Sequence, residues 1–213
     1  GGIRGYAECV ASDDLTALEE KQCIDRLHVL ADILIEEISF HRDLAHAESG
    51  DLAVRWSKLS TAPFLKELCG LYEGHSAAKG RKVVLDNVWD GKIESDVRLL
   101  RRILGNMIKN ALEATPGGGV VAVRCESPGD RVLFQVHNDA VMPPDVQLQV
   151  FQRSFSTKGE RGRGIGAYSM KLLGERYLGG EVSFSSDADS GTVFTLNLPR
   201  TRPEQPSGGK ERG

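Results

Sequence analysis

The sequence has few cysteines and no long apolar run. Its four cysteines, among 213 residues, lack the C-x-x-C spacing of a metal or redox site: Cys9, Cys23, Cys69 and Cys125. Scattered cysteines are typical of the reducing cytoplasm, so we expect free thiols. No stretch of 18 apolar residues could span a membrane, and the first residues do not read as a secretory signal. We therefore expect a cytoplasmic location and no membrane contact within this stretch.

An excess of basic residues is also missing. Lys and Arg number 27 against 30 Asp and Glu, a formal net charge of −3, whereas a nucleic-acid-binding domain normally carries a basic face. We therefore expect no nucleic-acid partner. The chain opens with GGIRGYAE and no initiator methionine, and we expect it to be a piece of a longer protein.

A long helical pattern occupies the first part of the chain. Between Asp13 and Gly50 apolar residues recur every three or four positions without a proline, which predicts one helix with a single apolar stripe. The stripe consists of Leu27, Leu30, Leu34, Ile38, His41 and Ala45. A helix of this length needs a partner, either a second helix or a copy of itself.

The pattern then alternates between helix and strand. Helices are predicted at 63–78, 95–114, 146–151 and 167–177, and strands at 82–87, 120–126, 131–136, 181–185 and 191–198. The sequence thus predicts a partial helical region at 1–58, an α+β domain at 59–199 and a polar, disordered tail at 200–213. We expect a two-layer α/β sandwich preceded by a helical stalk.

The segment NMIKNALEA places two amides on one helix face. Asn106 and Asn110 lie four residues apart, with Lys109 beside them. Amide oxygens are ligands that Mg²⁺ accepts when phosphates supply the rest. Solvated surface amides are the ordinary alternative.

The segment RGRGIG precedes a predicted helix. Glycines at every second position let backbone N–H groups turn toward an anion, and the helix start adds its dipole. The pattern is neither a Walker P-loop nor a Rossmann turn. A flexible loop without a ligand is the alternative.

Five segments, in this order, resemble the sequence boxes of one family: NMIKNALEA, VHNDAVMPPD, FQRSFSTKG, GRGIG and DSGTVFTLNLP. The set is similar to the ATP-binding domain of sensor histidine kinases, whose superfamily includes gyrase, HSP90 and MutL. The resemblance covers about residues 60–199 and implies the Bergerat fold. The segment ADILIEEISFHRDLAHAESGDL resembles the second helix of the dimerisation and phosphotransfer domain.

The resemblance implies ATP and Mg²⁺ as cofactors. Asn110 would coordinate Mg²⁺, Asn106 would support it, and Lys109 would lie near the phosphates. Asn138 stands where the family usually has an adenine-reading Asp, and Ala140 where its first glycine is usual. The other implied nucleotide-binding residues are Lys158, Gly162, Arg163, Gly164, Ile165 and Gly166 in a mobile lid and Thr192 in the pocket wall. Phe151 and Phe155 would pack the lid, with core packing as the alternative.

The implied activity is transfer of the ATP γ-phosphate to a histidine, for relay to the receiver domain of a response regulator. ATP-hydrolysing relatives carry a Glu where this chain has Asn106, and an amide cannot act as a general base; transfer is therefore favoured over hydrolysis. None of the five histidines precedes an acidic residue, so we expect the acceptor upstream of Gly1 and a homodimer through the stalk. The alternatives are a catalytically degenerate nucleotide-binding module that acts by partner binding, and a serine-kinase anti-sigma factor of the same superfamily.

Overall fold

The structure, a computed structural model, describes residues 21–24, 27, 38–39, 41–153 and 165–203. The chain divides into two compact units, residues 1–52 and residues 53–213. In the described ranges no helix is both long enough and apolar enough to cross a bilayer.

The first unit is helical at every described position from residue 21 to residue 49. The helix ends at Ser49, directly before the predicted stop. Gly50 has a φ of 90°, a left-handed backbone conformation that favours glycine. The buried apolar side chains at this end are Leu44 and Ala47, whereas Ile38 is 67% exposed and Ala45 is exposed too. Ile38 and Ala45 of the predicted stripe are thus not covered by the described part of this chain, and a partner helix that would cover them stays a prediction; Leu30 and Leu34 lie outside the described residues.

The described residues of the second unit form two sheets from seven strands: β1 (Ser57–Ser60), β2 (Lys82–Val88), β3 (Lys92–Ser95), β4 (Val120–Glu126), β5 (Arg131–Asn138), β6 (Glu181–Asp187) and β7 (Gly191–Pro199). Strands β1 and β3 form an antiparallel pair, and the five-stranded sheet has the order β2-β4-β5-β7-β6. The pair β2–β4 is parallel and the other pairs of the large sheet are antiparallel.

The second unit also contains helices. They are α1 (Thr61–Glu73), α2 (Val97–Ala114), the short α3 (Pro144–Gln147) and α4 (Gly166–Lys171), which continues as a π-helix at Leu172–Tyr177. Helix α2 packs on β4 and β5, and it buries one face made of Leu99, Leu100, Ile103, Leu104, Met107, Ile108, Ala111 and Leu112. Every second residue of β5 and β7 is buried, because successive side chains of a strand point to opposite faces. The α/β sandwich prediction is confirmed.

Several predicted bounds differ from the observed ones. The helix predicted at 95–114 begins at Val97, because Asp96 caps it and β3 precedes it; β1 and β3 were not predicted. The helix predicted at 63–78 ends at Glu73, before Gly74 and a separate 3₁₀ turn. The short helix predicted at 146–151 occupies Pro144–Gln147, where prolines suit the first helical turn.

Residues 200–203, which the sequence assigns to a disordered tail, pack against the rest of the second unit. The Arg200 guanidinium lies 4.8 Å from the ring centroid of Trp89, and its backbone N–H donates to the Asp130 carbonyl. Two cation–π contacts with tryptophan hold this segment, the second made by Arg202 on Trp56. Residues 204–213 lie outside the described residues.

Candidate functional site

A row of three polar side chains crosses the inner face of the sheet at one end. Asn138 on β5 is paired with Thr192 on β7, and Thr192 is paired with Ser186 on β6. The alternation of β5 places Asn138 on the same face as the fully buried Phe134 and Val136. The row therefore occupies positions where the strands otherwise carry apolar core residues.

Asn138 is the unusual member of this row. The residue is 2% exposed, and its amide nitrogen Nδ2 is enclosed without a hydrogen-bond acceptor among the described residues. Buried polar atoms in proteins are nearly always hydrogen bonded, and an unpaired one costs about 1–3 kcal/mol. A donor held at this cost is expected at a functional site.

Thr192, by contrast, is fully engaged. Its hydroxyl Oγ1 donates to the Ala140 carbonyl at 2.7 Å and lies 2.7 Å from Ser186 Oγ. Ser186 Oγ in turn accepts the Met142 N–H at 2.8 Å. These bonds hold the chain after β5 against the β6–β7 hairpin, so Thr192 fixes the backbone that follows Asn138.

Gly191 permits a close strand approach beside Asn138. A Cβ built on Gly191 would lie 2.4 Å from the Asn138 carbonyl oxygen, and the glycine has a φ of 66°. Any other residue would be strained here, because its Cβ would clash with that oxygen and because side chains disfavour the left-handed backbone conformation. The glycine of DSGTVFTLNLP is thus explained by geometry.

Helix α2 contributes the second set of polar side chains. Asn106 and Asn110 are both half-buried, whereas Lys109 is exposed. Asn106 Nδ2 donates to Ser169 Oγ at 3.3 Å, and that hydroxyl donates to the Gly166 carbonyl at 2.8 Å. Asn110 makes no side-chain hydrogen bond with residues 41–153 or 165–203, so its amide is available to a ligand.

Gly166, the last glycine of RGRGIG, lies beside Asn106 of α2. Gly166 begins α4 with Ile165 as the preceding cap residue, and a Cβ on Gly166 would lie 3.9 Å from Asn106 Oδ1. The remaining predicted lid residues lie outside the described residues: Lys158, Gly162, Arg163 and Gly164.

Phe151 packs against two phenylalanines of the β6–β7 hairpin. Its ring contacts Phe184 and Phe194 edge-on, at centroid distances of 5.6 and 6.2 Å, and Lys171 Nζ lies 5.1 Å from its centroid. Phe155 lies outside the described residues.

Two hydroxyls of the site were not predicted. Ser169 is fully buried and lies three residues after Gly166, where helical spacing places it on the same side. Ser186 follows Val182 and Phe184 at alternate positions of β6. Both periodicities are visible in the sequence, but the partners they bring together are not.

The sequence of the region that contains α2 and the large sheet's last strands identifies the protein family of the chain. Residues 95–202 match the family described as histidine kinase-, DNA gyrase B- and HSP90-like ATPases. The chain belongs to this ATPase family. The matched range begins just before α2 and contains every predicted nucleotide-site residue, so the predicted superfamily is confirmed.

Individual relatives within the ATPase family are histidine kinases. The chain is similar to the circadian input-output histidine kinase CikA of Synechococcus elongatus, with 27% identity over 84% of this chain and 25% of CikA. Among solved structures, full-length ShkA in complex with AMPPNP gives a TM-score of 0.67 at 23% identity, covering 95% of this chain and 43% of ShkA. Histidine kinase ThkA in complex with the response regulator TrrA gives 0.62 at 20% identity, covering 95% and 58%. The two structures share the fold.

This member of the ATPase family spans about a quarter of the length of the curated relatives it matches. The relatives therefore contain much sequence that has no counterpart here.

Proposed function

We propose that the chain is the ATP-binding catalytic region of a sensor histidine kinase, which transfers the γ-phosphate of ATP to a histidine for relay to a response regulator. Family membership supports the nucleotide, and the unpaired amide of Asn138 is the observation that carries the proposal. By the same proposal, residues 1–58 belong to the dimerisation and phosphotransfer region and residues 59–199 to the catalytic domain.

The chemistry of Asn138 fits an adenine base. An amide has one acceptor, Oδ1, and one N–H₂ donor, Nδ2; adenine offers an amino donor and a ring-nitrogen acceptor beside it. Because Nδ2 is enclosed in the free protein, the Asn138 side chain would turn toward the base on binding. Both of its polar atoms would then find partners, which removes the cost of the buried donor. The Asp more usual in this family could only accept, so Asn is compatible with direct base recognition.

A magnesium ion fits Asn110 together with nucleotide phosphates. No three His, Cys, Asp or Glu side chains cluster as a metal cage in the described ranges. Mg²⁺ typically takes few protein ligands when phosphate oxygens complete its coordination. Asn110 would supply an amide oxygen, and Lys109, exposed beside it, would supply a positive charge to the phosphates. ATP supplies the transferable phosphoryl group and Mg²⁺ neutralises its oxygens when bound.

The residue one turn before Asn110 favours transfer over hydrolysis. Asn106 donates to Ser169 Oγ and has no titratable group that could accept a proton from water. Its role would be to hold α4 against α2. The lid residues Lys158, Gly162, Arg163, Gly164, Ile165 and Gly166 would close over the phosphates.

The partners follow from the relatives. ThkA was solved with a response regulator, which supports a receiver domain as the phosphoryl acceptor of the relay. The helical first unit, with Ile38 67% exposed, supports a homodimer in which that helix contacts a partner helix. A cytoplasmic location, either of the whole protein or of the cytoplasmic part of a membrane-bound sensor, and an acceptor histidine outside this chain complete the proposal.

Titration calorimetry with AMPPNP, with and without Mg²⁺, tests nucleotide binding. Asn110→Ala should lose most of the Mg²⁺-dependent part of the affinity, because the substitution removes an oxygen ligand and leaves a good helix former. Asn197→Ala is the control for loss of an amide elsewhere. Asn197 lies on the face of β7 opposite to Thr192, where its Oδ1 accepts a hydrogen bond from Arg131 Nε at 2.6 Å, so the substitution should leave the Mg²⁺ dependence unchanged. Equal Mg²⁺ dependence in Asn110→Ala and the parent would refute the metal role.

Phosphotransfer needs a second experiment. A chain extended to include the acceptor helix should form an acid-labile phosphohistidine from γ-labelled ATP and pass the label to a receiver domain. Nucleotide binding without any label would instead favour the degenerate regulatory module.

A further inference from the structure

The segment through which the chain enters the second unit lies in space beside the start of α2, the helix that carries Asn106 and Asn110. Residues 53–60 form this entry segment, which includes β1 and follows the boundary between the two units. β1 runs antiparallel to β3, with Ser57 opposite Ser95. The entry segment therefore lies against the chain that leads directly into α2.

One buried carboxylate joins the entry segment to α2. Asp96 is 1% exposed, and its Oδ1 accepts the N–H groups of Arg98 and Leu99 at 3.0 and 3.2 Å, which caps the helix. Its other oxygen, Oδ2, accepts the backbone N–H of Arg55 at 2.8 Å. The two oxygens of Asp96 thus hold two segments 41 positions apart in the chain.

Arg98 adds a second connection at the same place. Its guanidinium Nη2 lies 3.5 Å from Asp96 Oδ2 and donates to the Ala53 carbonyl at 3.3 Å. The first turn of α2 therefore binds both a carbonyl and an N–H of the entry segment. Neither contact is needed for the cap itself, which uses only Oδ1.

Residues 200–203 also contact the entry segment and β3. The Arg202 N–H donates to Glu94 Oε2 at 3.2 Å, and its guanidinium lies 5.9 Å from the ring centroid of Trp56. The Glu94 N–H donates to the Arg200 carbonyl at 2.8 Å. The entry segment is thus attached to β3, to residues 200–203 and to α2, so the positions of the entry segment and of α2 depend on each other.

We propose that Asp96 is a positioning residue that couples the entry segment to the nucleotide site through α2. A helix rises 1.5 Å per residue, so Asn106 and Asn110 follow Asp96 by roughly 15 and 21 Å along a single helix. A nucleotide that restrains these amides restrains the first turn of α2, and Asp96 extends the restraint to Arg55. Such coupling is reciprocal: displacement of the entry segment changes nucleotide affinity by the same factor. This inference rests on the proposed nucleotide binding.

The test compares amide exchange at Arg55 with nucleotide affinity in the full chain. In the parent, Mg·AMPPNP should slow hydrogen exchange of the Arg55 amide, measured by NMR, by about fivefold or more, the lower end for coupled sites. Asp96→Asn keeps the capping oxygen but places an N–H₂ group opposite Arg55, and Asp96→Ser caps without reaching it. Both variants should show fast exchange at residue 55 that no longer depends on nucleotide. Their affinity for Mg·AMPPNP should fall by the factor by which exchange slows in the parent.

Ile103→Val is the control for lost stability. It shortens a fully buried side chain of α2 and leaves both oxygens of Asp96 in place, so the nucleotide-dependent protection of Arg55 should persist. Nucleotide binding by the parent without any change at Arg55, or equal affinities of the parent and both Asp96 variants, would overturn the coupling and leave the proposed function intact. A parent that binds no nucleotide would overturn both.

Discussion

Replacement of Asn138 by leucine should stabilise the second unit and weaken nucleotide binding. Leucine has the same branching as asparagine but carries no polar atoms, and the position is 2% exposed on an otherwise apolar face. The substitution removes the unpaired Nδ2 donor, whose burial costs about 1–3 kcal/mol. The free energy of unfolding should rise by about this amount, and each kcal/mol should raise Tm by roughly 2–4 °C in a domain of this size.

Thr192→Val is the matched comparison, because Thr192 is the cross-strand neighbour of Asn138. Valine has the same shape as threonine, but the substitution breaks the bonds of Oγ1 to the Ala140 carbonyl and Ser186 Oγ. Unfolding free energy should fall by about 1–3 kcal/mol. Two substitutions of polar by apolar side chains in one row should thus have opposite signs.

Urea unfolding followed by tryptophan fluorescence measures both variants. The chain has two tryptophans, Trp56 and Trp89, and both lie in the second unit, so the signal reports that unit. Calorimetry with Mg·AMPPNP measures the nucleotide affinity. Asn138→Leu should lose both hydrogen bonds to the base, each worth about 0.5–1.5 kcal/mol, which corresponds to binding that is roughly 5- to 150-fold weaker in Kd.

Destabilisation of Asn138→Leu by more than about 1 kcal/mol would show that the amide is satisfied in the free protein. Unchanged nucleotide affinity would show that Asn138 does not contact the base. Either result would refute the reasoning from the unpaired donor, and a stabilised variant with weak binding would support it.

Three further predictions follow from local geometry. Gly191→Ala should lower Tm and nucleotide affinity together, because its Cβ would meet a β5 carbonyl oxygen at 2.4 Å and φ is 66°; an unchanged Tm would contradict this. Burial raises the pKa of Cys69 to about 11 and that of Cys125 to about 12, so iodoacetamide at pH 8 should modify neither thiol until urea unfolds the protein. Hydrogen bonds from the Ser190 hydroxyl and from backbone N–H groups lower the pKa of Asp187, so its contribution to stability should be complete above the unfolded pKa of about 3.9 and should be lost as pH falls through the lower folded value. An NMR titration of Asp187 with an ordinary midpoint would contradict this sign.

Much of the site could be predicted from the sequence because its elements are local. The four-residue spacing of Asn106 and Asn110 places both amides on one helix face wherever that helix packs. The strands predicted at 120–126 and 191–198 likewise match β4 and β7 to within one residue. The glycine of DSGTVFTLNLP is part of the family resemblance, and its close approach to the Asn138 carbonyl gives the physical reason for it.

The stalk and the tail were less predictable. The apolar stripe drawn through Ile38 and Ala45 follows helical spacing correctly, yet Leu44 and Ala47 are the buried residues. Composition alone assigned residues 200–203 to a disordered tail, whereas contacts of Arg200 and Arg202 with tryptophans more than a hundred positions away hold them. Neither spacing nor composition identifies the surface that will cover a residue.

By itself, the sequence determined which backbone segments are helical or extended and which side chains share a face, since these depend on dihedral preferences and a period of 3.6 or 2 residues. Only the tertiary structure decided that Asn138 is enclosed with an unpaired donor while its neighbour Thr192 is satisfied. It alone brought Ser169 to Asn106, 63 positions away, and Arg55 to Asp96. Such contacts require loops to close between distant segments, and the packing of the whole core, rather than any local pattern, decides which closures are formed.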